Sequence, residues 1–208
     1  MNDKSKFIYD TLKGIIDEPK SELNFNNNFE LIIAVLLSAQ CTDKRVNMIT
    51  PKLFAKYGDC YKMAKADVAD VENIIKSCGF YHNKAKNIVA LSKKLVDNFG
   101  GEVPDTMEEL ITLDGVGRKT ANVVLAIAFD KPAIAVDTHV HRVSNRLGLS
   151  KSQDVYKIEK DLMKAFDMKD WAEVHHLILL FGRYYCKSQN PKCDGCKFYD
   201  ICTYRKEK

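Results

Sequence analysis

Apolar residues recur in this chain at intervals of three and four almost from end to end, a spacing that admits helices and little else. Phe7, Ile8, Leu12, Ile15 and Ile16 make one such stripe near the N-terminus. Val155, Ile158, Leu162 and Phe166 make another, and Val174, Leu177, Ile178 and Phe181 a further one. From Phe29 to Leu37 the run is apolar almost all round, as expected of a helix sunk in a core. The alternation of a half-buried strand is nearly absent, apart from a few residues around Ala133 to Val136. The expected fold class is all-α, with neither internal repeat nor low-complexity segment. Its 208 residues suffice for one sizeable core or two small ones.

Within that pattern one interruption stands out. Met107, Leu110 and Ile111 keep helical spacing, and Asp105 with Glu108 has the spacing of a capping box at that helix's start. Leu113-Asp114-Gly115-Val116-Gly117 then breaks the helix, because two glycines in three residues permit positive φ and close approach of the backbone. Helical spacing resumes from Lys119 to Phe129, with Ala121, Val124, Leu125 and Ala128 on one face. Successive N–H groups in such a turn form an anion-binding concavity, reinforced by the positive end of the second helix. An ordinary corner between helices, closed by a glycine cap, has the same local signature. The residues just past the turn, Arg118-Lys119-Thr120-Ala121-Asn122, favour the phosphate grip.

Lys119 falls in the first turn of the second helix, where the dipole disfavours a cation. It is misplaced for stability, and serves there as a phosphate contact or as a nucleophilic amine. Asp137 follows the buried-looking run Ala133 to Val136 and precedes Thr138-His139-Val140-His141-Arg142. Asp137 or Thr138 is placed to cap the next helix. A cap also fixes a carboxylate, which can then stabilise a developing cation or shuttle a proton. His139 and His141 beside it, and His175 and His176 in an apolar helix, are assigned no catalytic role.

The seven cysteines fall into two groups. Cys41, Cys60 and Cys78 are scattered among helical segments and read as small buried residues or spare thiols. Cys186, Cys193, Cys196 and Cys202 are separated by gaps of six, two and five residues. That clustering, in a chain whose polar start does not begin a signal peptide, argues for a metal site over disulfides and for an intracellular protein. Spacing alone leaves a structural zinc and an iron–sulfur cluster equally open. Residues 183–208 carry seven Lys/Arg against three acids, including Lys206, Glu207 and Lys208, either as a phosphate-contacting loop or as a solvated tail. The net charge of +4 is too mild to establish nucleic-acid binding by itself, and no apolar run reaches the length of a membrane span.

Taken together, the hairpin, Lys119, Asp137 and the cysteine quartet resemble the endonuclease III family of DNA glycosylases. The resemblance runs from about Asn24 to Cys202. It includes Phe29-Glu30-Leu31-Ile32, Ser38-Ala39-Gln40, Gly79-Phe80-Tyr81-His82-Asn83-Lys84-Ala85, Gly101-Glu102-Val103-Pro104 and Val136-Asp137-Thr138-His139. It implies a helix-hairpin-helix glycosylase fold of two helical domains with the active cleft between them. Residues 21–131 would form a six-helix barrel carrying the hairpin. Residues 1–20 with 132–208 would form a domain bearing a [4Fe–4S] cluster on Cys186, Cys193, Cys196 and Cys202.

The activity implied is excision of damaged bases, chiefly oxidised pyrimidines, by a nucleoid-associated monomer acting on duplex DNA that contains a damaged base or an abasic site. The target nucleotide must leave the stack, at a cost of a few kcal/mol. Gln40 and Phe80 occupy positions from which this family inserts side chains into the duplex. His82, Leu113, Gly115, Val116, Gly117 and Arg118 complete the implied DNA contacts. Lys119 would attack the anomeric carbon and form a Schiff base, with elimination of the 3′-phosphate nicking the strand, and Asp137 would stabilise positive charge at the sugar. Adenine-specific mismatch glycosylases share much of this but generally lack the lysine and add a C-terminal domain, whereas here Lys119 is present and six residues follow Cys202. A non-catalytic binding protein would reduce Lys119 and Asp137 to phosphate contact and helix cap. The chain departs from the family pattern at Asp114, where proline is common, at Phe80, often leucine, and at His82, often asparagine. A carboxylate beside a phosphate weakens binding, so Asp114→Pro is expected to tighten it.

Overall fold

The computed structural model describes residues 1–206, and the last two residues of the basic tail, Glu207 and Lys208, lie outside the described residues. Among the described residues every regular element is helical, so the expected all-α class holds. In chain order the α-helices are α1 (Asp3–Lys13), α2 (Asn28–Ser38), α3 (Asp43–Tyr57), α4 (Cys60–Ala64), α5 (Val68–Ile75), α6 (Tyr81–Phe99), α7 (Met107–Leu110), α8 (Arg118–Ala128), α9 (Thr138–Arg146), α10 (Val155–Ala165), α11 (Trp171–Tyr184) and α12 (Thr203–Lys206). The chain divides into two compact units, one of Glu22–Phe129 and one of Met1–Ser21 together with the segment that starts at Asp130.

The Glu22–Phe129 unit is organised around α2. Asn27 caps it by accepting from the Glu30 N–H at 2.9 Å. The Glu30 carboxylate reaches back to the N–H and side-chain amide of Asn26, at 2.7 and 2.9 Å. These reciprocal bonds satisfy donors that a helix start leaves open. Every residue from Phe29 to Leu37 is buried, and α2 packs against α3, α6 and α8. An all-round apolar helix can be stable in water only in such a central place.

The discontinuous unit is built on α1, α9, α10 and α11. Ile8 and Leu12 of α1 pack with Val140 and Val143 of α9, Ile158 and Leu162 of α10, and Val174, Leu177, Ile178 and Phe181 of α11. The stripe predicted on α11 is buried throughout, whereas on α10 Val155 is 55% exposed because the helix only begins there, behind its Asp154 cap. Helix α1 ends at Lys13, so Ile15 and Ile16 belong to the following turn and pack only partly against the same core. Phe7 stays largely exposed, with its ring edge-on to Phe198. Ala133 to Val136 are all buried yet form no strand. The His175 side chain, rather than a neighbouring strand, partners the Ala135 carbonyl through Nδ1 at 2.8 Å.

Polar contacts tie the N-terminal segment to residues far along the chain. The Met1 amino group pairs with Asp167 at 2.9 Å and Lys4 Nζ donates to the Gly148 carbonyl at 2.8 Å. Tyr9 donates to Glu173, which also pairs with Lys13 at 3.0 Å. Among the described residues no helix is long and apolar enough to cross a membrane.

Candidate active site

The glycine turn is closed by the Val116 N–H donating to the Leu113 carbonyl at 3.1 Å, with Gly115 at φ +78°. That combination is a type II turn, whose third residue must have positive φ and whose second suits proline or, here, Asp114. Leu113 and Val116 are buried and anchor the turn. A methyl group on Gly115 would sit 2.8 Å from Asn87 Nδ2 and 3.0 Å from Leu36 Cδ1, so the turn is pressed against α6 and α2. Beside Gly117 there is open space instead, since a methyl group there meets no atom within 4 Å. Asp114 pairs with Lys94 at 3.4 Å, and the same Lys94 Nζ donates to the Thr112 carbonyl at 2.6 Å. The carboxylate expected to repel a phosphate is therefore partly neutralised by a lysine from α6.

The helices flanking the turn depart from expectation in small ways. The box that starts α7 is Thr106 with Glu109, one residue later than the Asp105–Glu108 pair. Thr106 Oγ1 accepts from the Glu109 N–H at 3.3 Å and donates to the Glu109 carboxylate at 2.7 Å. A hydroxyl can do both, whereas two carboxylates cannot pair in this way. Helix α8 starts at Gly117 with neither a side-chain cap nor an acid in its first turn. Its positive end is left to whatever approaches from outside, with Arg118 and Lys119 both on the exposed side. Ala121, Val124 and Leu125 are buried as the spacing predicts; Asn122 and Ala126 are buried too, and Ala128 is half-buried.

Gln40 and Phe80 share a property no local pattern announces. Both have left-handed backbones, φ +53° and +57°, and both side chains are exposed, Phe80 at 63%. Non-glycine residues hold this conformation only where surroundings over-determine it, and such sites cluster where proteins act. Here the surroundings are specific. Lys84, buried on α6, donates from Nζ to the carbonyls of Leu37 at 2.8 Å and Ala39 at 2.7 Å. Burial pushes its ammonium below the ordinary lysine value, opposed by the nearby Cys78 and Cys41. The Gln40 and Phe80 segments also adjoin, since a methyl on Gly79 would lie 3.4 Å from the Gln40 carbonyl. His82, in the first turn of α6, is exposed, contacts the Tyr81 ring and pairs through Nδ1 with Glu72 at 2.8 Å.

In the other unit Asp137 caps α9, its Oδ1 accepting from the N–H groups of His139 at 2.9 Å and Val140 at 2.7 Å. Two arginines that sequence reasoning missed extend from the same helix. Arg142 donates to the carbonyls of Cys186 at 3.0 Å and Gly182 at 2.8 Å, and burial lowers its pKa. Arg146 donates to the Cys186 sulfur at 3.3 Å and the Lys187 carbonyl at 2.8 Å. Spacing of four on a helix starting at a candidate carboxylate was the available signal. Gly182 lets α11 approach α9, because a methyl there would meet His139 Cβ at 2.9 Å. One helix thus connects Asp137 to the cysteine loop.

Cys186, Cys193, Cys196 and Cys202 line a single small pocket with Arg146, Phe181, Phe198 and Tyr199. Burial raises the Cys196 thiol, and the other three cysteines raise it further. Four cysteine sulfurs lining one site are the donor set for a cationic centre, which binds them as thiolates. Among the described residues, however, no three Cys, His, Asp or Glu side chains form a constellation for one metal ion. Of the remaining cysteines, Cys60 donates to the Gly101 carbonyl at 3.2 Å, while Cys41 and Cys78 lie sulfur to sulfur at 3.7 Å.

Comparison with known proteins resolves the family. The profile of the HhH-GPD superfamily of base excision DNA repair proteins matches residues 33–168. Endonuclease III of Bacillus subtilis is 48% identical over 198 residues, covering 95% of this chain and 90% of that protein. The chain belongs to the endonuclease III family. Endonuclease III of Escherichia coli K12 is 43% identical over 91% of this chain and 90% of its own length. A structure of a trapped endonuclease III–DNA covalent intermediate superposes with a TM-score of 0.95 at 45% identity, covering 100% of this chain and 99% of that one. A thermostable thymine-DNA glycosylase, 22% identical with a TM-score of 0.88, shares the fold.

Proposed function

We propose that this protein excises damaged bases, chiefly oxidised pyrimidines, from duplex DNA and then cleaves the strand at the resulting abasic site. The observation that carries the reading is the exposed Lys119 in the uncapped first turn of α8, directly after a glycine turn that is open at Gly117. The turn supplies backbone N–H groups for a phosphate, and the lysine that follows supplies an amine at the same place. That a related endonuclease III has been trapped as a covalent DNA intermediate supports a covalent route here.

In this reaction the Lys119 amine bonds to the sugar's anomeric carbon as the bond to the base breaks, and the departing base takes up a proton. Opening of the sugar ring at its C1′–O4′ bond, with transfer of the amine proton to O4′, gives an imine; loss of a C2′ proton then expels the 3′-phosphate by β-elimination, and water releases the lysine. Asp137, oriented by its two backbone bonds, stabilises positive charge at the sugar and assists proton transfers. Leu113, Gly115, Val116, Gly117 and Arg118 hold the phosphate. Gln40 and Phe80 enter the duplex when the nucleotide leaves it, with His82 contacting the same strand region. Residues 21–131 serve as the hairpin-bearing domain, and residues 1–20 with 132–208 as the cluster domain.

Cys186, Cys193, Cys196 and Cys202 would hold a [4Fe–4S] cluster, which folds the basic loop between them. A zinc ion needs four thiolates converging at about 2.3 Å on one point. A [4Fe–4S] cluster would instead take one thiolate for each of its four irons, a donor set that four cysteines lining one pocket supply. We place the protein with the chromosomal DNA, acting as a monomer.

The decisive experiment is borohydride trapping on a duplex with one oxidised thymine, beside Lys119→Gln. An adduct from the parent alone supports the assignment. Base release without adduct or nick would make the protein a monofunctional glycosylase. Tight binding with neither would leave a DNA-binding protein.

A further inference from the structure

Cys41 directly follows Gln40, and Cys78 stands two residues before Phe80. Their sulfurs are 3.7 Å apart, a contact of thiols between the two segments with left-handed tips. We propose that Cys41 and Cys78 are a dithiol modification site, which a peroxide converts to a disulfide joining the tips that carry Gln40 and Phe80. The effect on DNA rests on the function proposed above; the chemistry of the pair does not.

The two thiols differ in a useful way. Cys41 is half-buried and within reach of a small oxidant, whereas Cys78 is 2% exposed. Lys84 and Arg45 partly oppose the upward shift of the Cys78 thiol. Burial, with Cys41 beside it, pushes the Cys78 thiol up to about 11, and the more exposed Cys41 is the sulfur that a small oxidant meets first. The Cys41 sulfur bonds to one peroxide oxygen as the O–O bond breaks, giving a sulfenic acid and one water. The Cys78 sulfur then displaces the hydroxyl from the Cys41 sulfur, which leaves with the Cys78 proton as a second water. The thiols lose two electrons and two protons, and the peroxide becomes two waters.

Closure from 3.7 Å to a disulfide length of about 2.05 Å brings the two sulfurs roughly 1.7 Å closer, through side-chain rotation and movement of the segments that carry them. Neither segment can absorb this freely. Lys84 holds the carbonyls of Leu37 and Ala39 on one side, and Gly79 already adjoins the Gln40 carbonyl. Whatever part of the closure side-chain rotation does not supply falls on the backbones of Gln40 and Phe80, whose positions set how both side chains enter a duplex. Cys60 is buried against the Gly101 carbonyl with no sulfur partner and serves as an internal control.

The test treats the whole reduced protein with hydrogen peroxide, alkylates it and maps tryptic peptides without reduction. In parallel, affinity for an abasic-site duplex is measured before oxidation, after it, and after dithiothreitol, for the parent, Cys41→Ser and Cys78→Ala. The expected result is a linked pair of peptides containing Cys41 and Cys78, with affinity lowered about tenfold and restored by dithiothreitol. Both variants should lack the link and keep their affinity under peroxide, which separates this effect from damage to the cysteine quartet. Cys41 ending as a sulfinic acid without a link would overturn the proposal, as would a link with affinity unchanged. A reduced parent that fails to bind the duplex at all would instead refute the proposed function, and the peptide map would still decide the dithiol.

Discussion

The two glycines of the turn should separate folding from DNA binding when each becomes alanine. Gly115 has φ +78°, a conformation costing about 1–2 kcal/mol for an L-residue with a side chain. The new methyl would also lie 2.8 Å from Asn87 Nδ2 and 3.0 Å from Leu36 Cδ1, and overpacking of that kind adds about 1–3 kcal/mol. Gly115→Ala should therefore lose roughly 2–5 kcal/mol, which for a chain of this size lowers Tm by roughly 5–15 °C. Gly117 has φ −95° and open space beside it, so Gly117→Ala should cost less than about 1 kcal/mol. Its methyl stands where the phosphate is proposed to approach. Losing one charge-assisted N–H bond, worth about 1.5–3 kcal/mol, weakens binding to an abasic-site duplex roughly ten- to a hundredfold. Thermal unfolding followed by circular dichroism, and fluorescence anisotropy at one fixed salt concentration, read the two effects. A Gly117→Ala protein that binds like the parent, or a Gly115→Ala protein that melts like it, would refute the reasoning.

Further outcomes follow from other contacts. Asn caps a helix as well as Asp, so Asp137→Asn should keep the parent's Tm while slowing base release by about 10²-fold or more in single-turnover assays; Asp137→Ala should lose about 1 kcal/mol of stability besides. Because Lys94 already offsets Asp114, and exposed pairs contribute about 0–1 kcal/mol, Asp114→Pro should tighten duplex binding by less than about fivefold. Lys94→Met should bare the carboxylate, so that Asp114→Asn helps more in that background than in the parent. His176 is held below its ordinary 6.5 by burial, so the unfolded chain takes up its proton first as pH falls. Stability then declines from about pH 6.5 downward, at up to about 1.4 kcal/mol per pH unit, before the carboxylates titrate. Urea unfolding between about pH 5 and pH 7 should show that slope, and His176→Gln should flatten it.

Much of the architecture could be read from residue spacing, for reasons visible in the structure. The Phe29–Leu37 run and the Val174 to Phe181 stripe are strong because burial decides them residue by residue. The turn at Gly115 was legible because only glycine suits its positive φ. Where tertiary contacts decide, the sequence was silent. Nothing local marks Gln40 and Phe80 as left-handed, since their conformation is imposed by neighbours such as Lys84. Lys94 sits twenty residues before Asp114, and only the packing of α6 beside the turn brings them together. The shift of the capping box from Asp105 to Thr106 turned on one hydroxyl's ability to donate and accept at once. The buried segment at Ala133 to Val136 had the composition of a strand without a partner strand, and His175 serves its backbone instead.

The ties from Met1, Lys4 and Tyr9 to Asp167, Gly148 and Glu173 set a timetable for synthesis on the ribosome. Helix α1 precedes the others of its unit, and the core its apolar face joins is complete only once α11 has left the exit tunnel. At roughly 5–20 residues per second it waits about 10–30 s, while the Glu22–Phe129 unit has all its own residues available in sequence. Ile8 and Leu12, buried in the finished core, lack part of their covering until that interval ends. A nascent chain stalled before α11 would thus carry a completed hairpin-bearing unit beside a second core that still lacks its central helix.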